Sequence, residues 1–532
     1  MKGFTVMEKD SLAKGTIVLG SGMVIAKIFG LVYRLILPNI IGTEAMGLYG
    51  MAYAVYTVLL TLSMAGIPVA ISKIISNELS QGHYVAANDT FKVALLLLLT
   101  TGLIFTTVLY FGSTIIAHAI TGDHRAELSL KAVSPAIILV SVMSALRGYF
   151  QGHLVMTYTA VSQLLEQFVR VFGILFFAYL LIPYGKIYSA AGAVFGNVVG
   201  ALTGLGYLIW QYFNSKDIVK RQINNSSISI SRIQQTAIQI MVLAFPIIIG
   251  NMIMPIMNLI DASLVVNRLM EIGFTQGEAT SKFAYLTQYA APLTMFPGTM
   301  GMALSMSLVP GISETVTKQN YDQLKGRVRL AIRFSLLIGF PSFFGLFVLA
   351  TPIILLIFPN DPEAATPLRY LSPSVIFLLL KFATTGVLQG LNKPMIPVKN
   401  LIIGTFLKAI LTYWLTAVPY LNVNGAAIGT LISYAVSSMF NLFYIIKITG
   451  IKISLVQDIL KPAILSLFMG IIAFSTQILT LDLIGIRLAA LLAIMAGALF
   501  YILLGISFKV IKKNEIQLIP KLGPKISPYI KD

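Results

Sequence analysis

The chain contains no cysteine and only four histidines. Disulfides, thiolate metal sites and thiol catalysis are therefore excluded. His83, His118, His124 and His153 are scattered beside apolar runs, so a metal centre is not expected. Charge is also scarce, with Asp, Glu, Lys and Arg making up 11% of 532 residues. No glycine-rich phosphate loop of the ATPase type is present, which excludes direct drive by such a site. Long polar loops are missing too, so no separate soluble domain is expected. What remains is apolar: 57% of the residues are hydrophobic, and runs of about 20 such residues recur from end to end, the length that crosses a bilayer.

The composition therefore predicts an all-α polytopic membrane protein with about fourteen transmembrane helices. Met1 to Asp10 is polar, and the apolar run of residues 12–38 is too long for a signal-peptide core. It is expected to stay as the first span. The formal charge of +18 would suggest nucleic acid in a soluble protein. Here it reads as topology: with a cytoplasmic N-terminus, 24 basic residues fall on the inner side and 7 on the outer side. The positive-inside rule then predicts that both termini are cytoplasmic.

The sequence is doubled. Ser134-Pro135 and Gln151-Gly152 return as Ser372-Pro373 and Gln389-Gly390, each displaced by 238 residues. Arg170 falls on Lys408 at the same displacement. Gly192-Ala193 and Gly196 fall on Gly425-Ala426 and Gly429 at 233. The expected organisation is a six-helix lobe over 1–213, a cytoplasmic linker over 214–234, a second six-helix lobe over 235–450, and a helix pair with a basic tail over 451–532. With six spans per repeat, both lobes enter the membrane in the same direction, an arrangement common in alternating-access transporters.

Seven basic residues remain inside predicted spans: Lys27, Arg34, Arg147, Arg170, Arg333, Lys381 and Lys408. Only Glu166 and Asp261 stand opposite them as clear acids. An intramembrane charge costs at least ~2.5–3.5 kcal/mol on insertion scales, so the surplus calls for water, an anionic ligand or a hydrated cavity. Each residue also has a plainer reading. Arg333 lies near the inner end of its span and can snorkel, and the same holds for Arg147 and Lys381. Glu166 and Arg170 are four residues apart and can neutralise one another. Lys27 and Arg34 share a helix face two turns apart, with Lys27 near mid-depth, which favours a ligand role. Asp261 follows Pro246, Gly250 and Pro255 and has two readings, a coupling-cation site or a partner for Arg268. Gln288, ahead of the Pro292, Pro297-Gly298 and Gly301 breaks, is a candidate cavity residue.

A basic cavity suits pyrophosphate, because arginine forks and lysine ammonium groups engage several oxygens at once. A phosphate carried on a lipid would also need a bilayer-facing groove, which an extra helix pair could form. The segments Gly30-Leu31-Val32-Tyr33-Arg34, Arg147-Gly148-Tyr149-Phe150-Gln151-Gly152 and Ser162 to Arg170 resemble the polysaccharide-biosynthesis branch of the multidrug/oligosaccharidyl-lipid/polysaccharide exporter superfamily. Within it the chain is similar to MurJ-type lipid II flippases of Gram-positive bacteria and the stage V sporulation protein B group. The resemblance covers almost the whole chain. It implies two six-helix lobes with spans 1, 2, 7 and 8 lining the cavity and spans 13 and 14 forming a lipid groove. It also implies movement of undecaprenyl-pyrophosphate-linked peptidoglycan precursor from the inner to the outer leaflet, for cell-wall synthesis. The family's basic positions on span 1 carry over to Lys27 and Arg34. Span 2 has no arginine at mid-depth, and the basic position of span 8 falls on Gln288. These departures shift charge toward spans 4, 5, 10 and 11.

A flippase for another lipid-linked oligosaccharide, such as a spore-cortex precursor or a capsular repeat unit, is the first alternative, since all share the polyprenyl pyrophosphate. Two functions of other kinds also compete. A cation-coupled drug exporter would want an acid in the core of the first lobe, where span 1 has none and Glu166 has Arg170 beside it. A membrane enzyme acting on the same polyprenyl substrates would need paired acids on the outer side, and none form a motif there. The partners expected are a polyprenyl-pyrophosphate-linked glycan, membrane lipids, a coupling cation and cell-wall synthesis enzymes. No cofactor or nucleic acid is called for.

Overall fold

The computed structural model describes residues 4–214 and 230–510, with side chains from Phe29 onward except Leu31 and Ile230. Residues 215–229 of the expected linker therefore lie outside the described residues, as do the basic tail beyond Val510 and the side chain of Lys27. Every element among the described residues is helical. Among the described residues, eleven helices are long and apolar enough to cross a membrane, or twelve when the bent pair Pro362–Leu371 and Ser374–Gly390 counts as one span. Two of the long helices are each broken at a glycine, which brings the helices to the fourteen expected. Gly42 (φ 75°, ψ 171°) and Gly485 (φ 75°, ψ 164°) lie in a backbone region that side chains with a Cβ do not adopt.

The first repeat comprises α1 (Phe4–Met64), α2 (Ile67–Ser80), α3 (Tyr84–Ala119), α4 (Glu127–Val133), α5 (Pro135–Gly152), α6 (Met156–Leu180) and α7 (Lys186–Asn214). The second comprises α8 (Ile230–Glu271), α9 (Gln276–Ala284), a π turn (Tyr285–Ala290), α10 (Ala291–Thr317), α11 (Tyr321–Val348), α12 (Ala350–Ile357), α13 (Ala365–Leu371), α14 (Ser374–Gly390), α15 (Met395–Thr416) and α16 (Asn424–Thr449). The last hairpin is α17 (Lys461–Ser507), entered through a π turn at Leu455–Leu460. By its contacts the chain forms two compact units, residues 1–267 with 275–281 and residues 268–274 with 282–532. Most of α8 thus packs with the first unit.

The duplicated sequence folds into duplicated detail. Ser134 Oγ donates to the Lys131 carbonyl at 2.9 Å, and Ser372 Oγ donates to the Arg369 carbonyl at 2.8 Å. At the far end of each helix the chain turns through a non-glycine residue at positive φ, Leu154 (62°) and Asn392 (59°), again 238 residues apart. The closing hydrogen bonds match as well: Val155 N to Phe150 O at 2.9 Å, and Lys393 N to Leu388 O at 2.8 Å. These are the backbone closures that satisfy orphan carbonyls at a helix C-terminus.

Helix pairs are drawn together by small residues, as expected where lipid gives no hydrophobic drive for association. Gly192, Gly196, Gly200 and Gly204 form one face of α7 against α6, spaced four apart. A Cβ on Gly200 would meet Arg170 Cβ at 2.7 Å and the Glu166 carbonyl at 2.8 Å, so the backbone of α6 is held where its charged pair sits. In the second unit Gly425, Gly429 and Ser433 take the same row on α16, with the Lys408 carbonyl 3.3 Å from a Cβ on Gly429.

The last hairpin is pinned to α11. Tyr501 Oη donates to the Leu337 carbonyl at 2.8 Å. At the other end Arg333, only 4% exposed, donates to Asp458 Oδ1 (3.1 Å), the Gln457 carbonyl (3.2 Å) and the Val510 carbonyl (2.8 Å). Arg333 was expected to snorkel toward water. It is instead buried, because Asp458 and the free carbonyls at both ends of the hairpin supply the acceptors that solvent would have given.

Candidate functional site

Among the described residues, a cluster of charge lies inside the first unit, where α5 and α6 meet α1. Arg147 of α5 donates through Nη2 to Glu166 Oε2 at 2.8 Å and through Nε to Ser162 Oγ at 3.1 Å. Arg170, one turn along α6 from Glu166, pairs with Oε1 of the same carboxylate. Glu166 is 5% exposed and is therefore shared by two guanidinium groups. The Nε of Arg170 is buried and has no hydrogen-bond partner.

On α1, Arg34 is half-buried and donates through Nε to Tyr33 Oη at 3.3 Å. Tyr33 Oη lies 3.2 Å from Tyr49 Oη. Tyr49 stacks on Tyr53 at 5.8 Å between ring centroids, and Tyr53 sits 5.9 Å from Tyr56. Tyr33 and Tyr53 lie within electrostatic reach of both Arg34 and Arg170, which joins the α1 and α6 cations into one neighbourhood. Three arginines stand here with one carboxylate, which pairs with two of them, Arg147 and Arg170, while Arg34 donates to a tyrosine hydroxyl. Arginine carries five N–H donors and no acceptor, so this wall of helices presents many donors to few acceptors.

The sequence singled out Arg34, Arg147, Glu166 and Arg170, and all four fall in this neighbourhood. Arg147 was also read as able to snorkel, but it turns inward because Glu166 and Ser162 meet it there. The tyrosines were missed. Tyr49, Tyr53 and Tyr56 follow an i, i+4, i+7 spacing that marks one helix face, but tyrosine passes as apolar when a span is read for charge.

The remaining candidates are elsewhere. Lys27 lies on α1 two turns before Arg34, with its side chain outside the described residues. Asp261 is buried on α8. Arg268, weighed as its partner, pairs with Glu271, donates to the Tyr413 carbonyl at 3.1 Å and lies 4.0 Å over the Tyr413 ring. In the second unit Lys408 is 2% exposed, and Lys381 is 5% exposed with Nζ 4.5 Å over Tyr434 and 4.8 Å over Phe382. Cation–π contact thus takes part of the place of water around Lys381. Gln288 sits in the π turn and donates to Thr287 Oγ1 at 3.2 Å. π turns of this kind recur at functional sites.

A duplicated polytopic helical protein with surplus cations inside its spans has the build of a membrane transporter. The profile described as Polysaccharide biosynthesis protein matches residues 12–316, and one described as MatE matches residues 286–414. The chain is 30% identical to Stage V sporulation protein B of Bacillus subtilis, over 97% of this chain and 99% of that protein. It is 28% identical to Lipid II flippase MurJ of the same organism, over 87% of this chain and 88% of that protein. Among solved structures, Lipid II flippase MurJ in an inward closed conformation matches with a TM-score of 0.69 at 17% identity, covering 92% of this chain and 98% of that one. An inward-facing multidrug resistance MATE family transporter of the MOP superfamily matches with a TM-score of 0.67 at 15% identity, covering 82% and 98%. These last two likenesses establish a shared fold. The chain belongs to the polysaccharide biosynthesis protein family.

Proposed function

We propose that this protein is a flippase for a polyprenyl-diphosphate-linked glycan, with the peptidoglycan precursor lipid II as the substrate that best fits its relatives. The observation that carries the reading is the surplus of donors in the first unit: three arginines for one carboxylate, with the Arg170 Nε buried and unpartnered. A diphosphate supplies the missing acceptors, and guanidinium forks match its oxygens. Arg34, Arg170 and Arg147 form the head-group site, with Lys27 continuing it along α1. Lys408, Asp261 and Gln288 serve the later steps of transport, and Asp261 is the candidate for a coupling cation. The cycle is non-hydrolytic alternating access from the inner to the outer leaflet of the cytoplasmic membrane, with both termini cytoplasmic.

The test is translocation in proteoliposomes of undecaprenyl-diphosphate disaccharide-peptide compared with a cationic dye, for wild type and Arg34→Ala. Precursor flipping that is lost in the variant, with no dye movement in either protein, supports the reading. Dye movement that survives Arg34→Ala transfers the protein to the drug-export side of the superfamily.

A further inference from the structure

Glu166 occupies the place an anionic ligand would take. Its two oxygens accept from Arg147 Nη2 at 2.8 Å and from Arg170 Nη2, while Arg147 Nε is held by Ser162 Oγ at 3.1 Å. Arg147 therefore has a second anchor, whereas Arg170 has a buried Nε with no acceptor. The backbone beneath them cannot yield, because Gly200 and Gly204 press against it; a Cβ on Gly204 would meet Glu166 Cβ at 3.1 Å. Any exchange of partners must then go through side-chain rotation, which the long arginine side chain of Arg170 permits.

We infer that Glu166 is an internal stand-in for substrate phosphate, which a diphosphate displaces from Arg170 and a monophosphate does not. This role rests on the diphosphate reading of the site. A carboxylate offers two oxygens and one negative charge. A diphosphate ester offers more oxygens and more charge, so it recruits Arg170 together with Arg34, whose side chain donates to the Tyr33 hydroxyl. Glu166 keeps Arg147 throughout, so no carboxylate is left bare in the membrane. When the substrate leaves, Glu166 retakes Arg170 and the head group is not retained. The residue acts on the substrate through Arg170, which makes it a positioning residue that sets selectivity and release together.

The test is isothermal titration of the full-length protein in detergent with farnesyl diphosphate and farnesyl monophosphate, for wild type, Arg34→Ala, Glu166→Gln and Glu166→Asp. Wild type should prefer the diphosphate by about a hundredfold. Glu166→Gln, which removes the competing charge, should bind both esters about tenfold tighter or more, with the larger gain for the monophosphate. Glu166→Asp, whose shorter arm cannot hold both arginines, should move the same way by a smaller factor. In proteoliposomes Glu166→Gln should lower KM and kcat together, because release becomes slow; a purely structural role would reduce the folded fraction and leave that split unmoved. Equal affinity of wild type for the two esters overturns the stand-in role, as does folded Glu166→Gln with unchanged or weaker binding. If wild type and Arg34→Ala bind the diphosphate equally, the phosphate site itself is wrong; if Arg34→Ala loses binding while the Glu166 variants do not tighten it, only the stand-in role falls.

Discussion

The two compact units each contain an arginine–carboxylate–arginine group, and the two groups differ in how completely they are satisfied. In the second unit Asp458 accepts from Arg329 Nε (3.1 Å), Arg333 Nη1 (3.1 Å) and the Ser454 amide (2.8 Å), while Arg333 also reaches the Gln457 and Val510 carbonyls. In the first unit Glu166 accepts from Arg147 and Arg170, Ser162 takes one more donor, and the Arg170 Nε is left over. The stoichiometry is the same. The supply of backbone carbonyls is not: the ends of α17 deliver free acceptors to the second group, whereas the first is built on mid-helix turns whose carbonyls are already used. A closed network fixes structure, and an open one is available to a ligand. The proposed functions of the two groups follow from that difference.

Replacing one arginine in each group separates them most strongly. Arg170→Ala should leave insertion and yield near wild type, because Glu166 keeps Arg147, yet should reduce precursor flipping by about a hundredfold or more, the loss of a charge-assisted phosphate contact at both its donors. Arg333→Ala should do the reverse. It leaves a buried carboxylate with Arg329 and the Ser454 amide but without its second guanidinium, and two carbonyls without that donor, a loss of about 3–5 kcal/mol, read as a lower Tm and reduced recovery from detergent, with flipping per folded molecule retained. If Arg333→Ala is as stable as wild type, the closed group is not structural. If Arg170→Ala flips normally, the open group is not the site.

Which of this was legible in the sequence follows from distance along the chain. The repeat was readable because identical residues return at a fixed displacement, and the structure returns the same turns at Leu154 and Asn392. The Glu166–Arg170 pair was readable because four residues on a helix share a face. Arg147 to Glu166 was not, since the two stand 19 residues apart on different helices. Arg333 to Asp458 was still less so at 125 residues, with Asp458 on a short turn just ahead of a span, where acids usually meet water. The tyrosine face was present as a spacing, but hydropathy assigns tyrosine to the lipid side of the argument.

The next largest effect should come from the packing that holds the open group in place. Gly200→Ala puts a methyl 2.7 Å from Arg170 Cβ and 2.8 Å from the Glu166 carbonyl, both on an α-helix backbone that has no slack. Separating α7 from α6 to admit it should cost about 1–3 kcal/mol in stability and should shift Arg170 enough to lower flipping about tenfold. Gly206→Ala is the matched control, since a Cβ there meets nothing within 4 Å. Equal behaviour of the two variants would separate the glycine row from the site.

The smallest effect tests whether the tyrosines belong to the open group at all. Tyr33 is 5% exposed, and its hydroxyl is the acceptor for Arg34 Nε at 3.3 Å as well as the neighbour of Tyr49 Oη at 3.2 Å. Tyr33→Phe keeps the ring, and with it the packing of α1, but removes the oxygen that accepts from Arg34 Nε, while Tyr53 stays within reach of the same guanidinium. A single hydrogen bond to a charged group contributes about 1.5–3 kcal/mol, and part of that returns when Arg34 finds water or phosphate instead. Farnesyl diphosphate affinity should therefore fall only about three- to tenfold, with Tm unchanged and with Tyr56→Phe, whose hydroxyl is farther along the stripe, falling less. A loss confined to Tm would make the stripe a packing feature of the first unit. A loss confined to affinity would make Tyr33 the residue that presents Arg34 to the substrate, which is the role that an open donor group requires of a neighbour with one acceptor to lend.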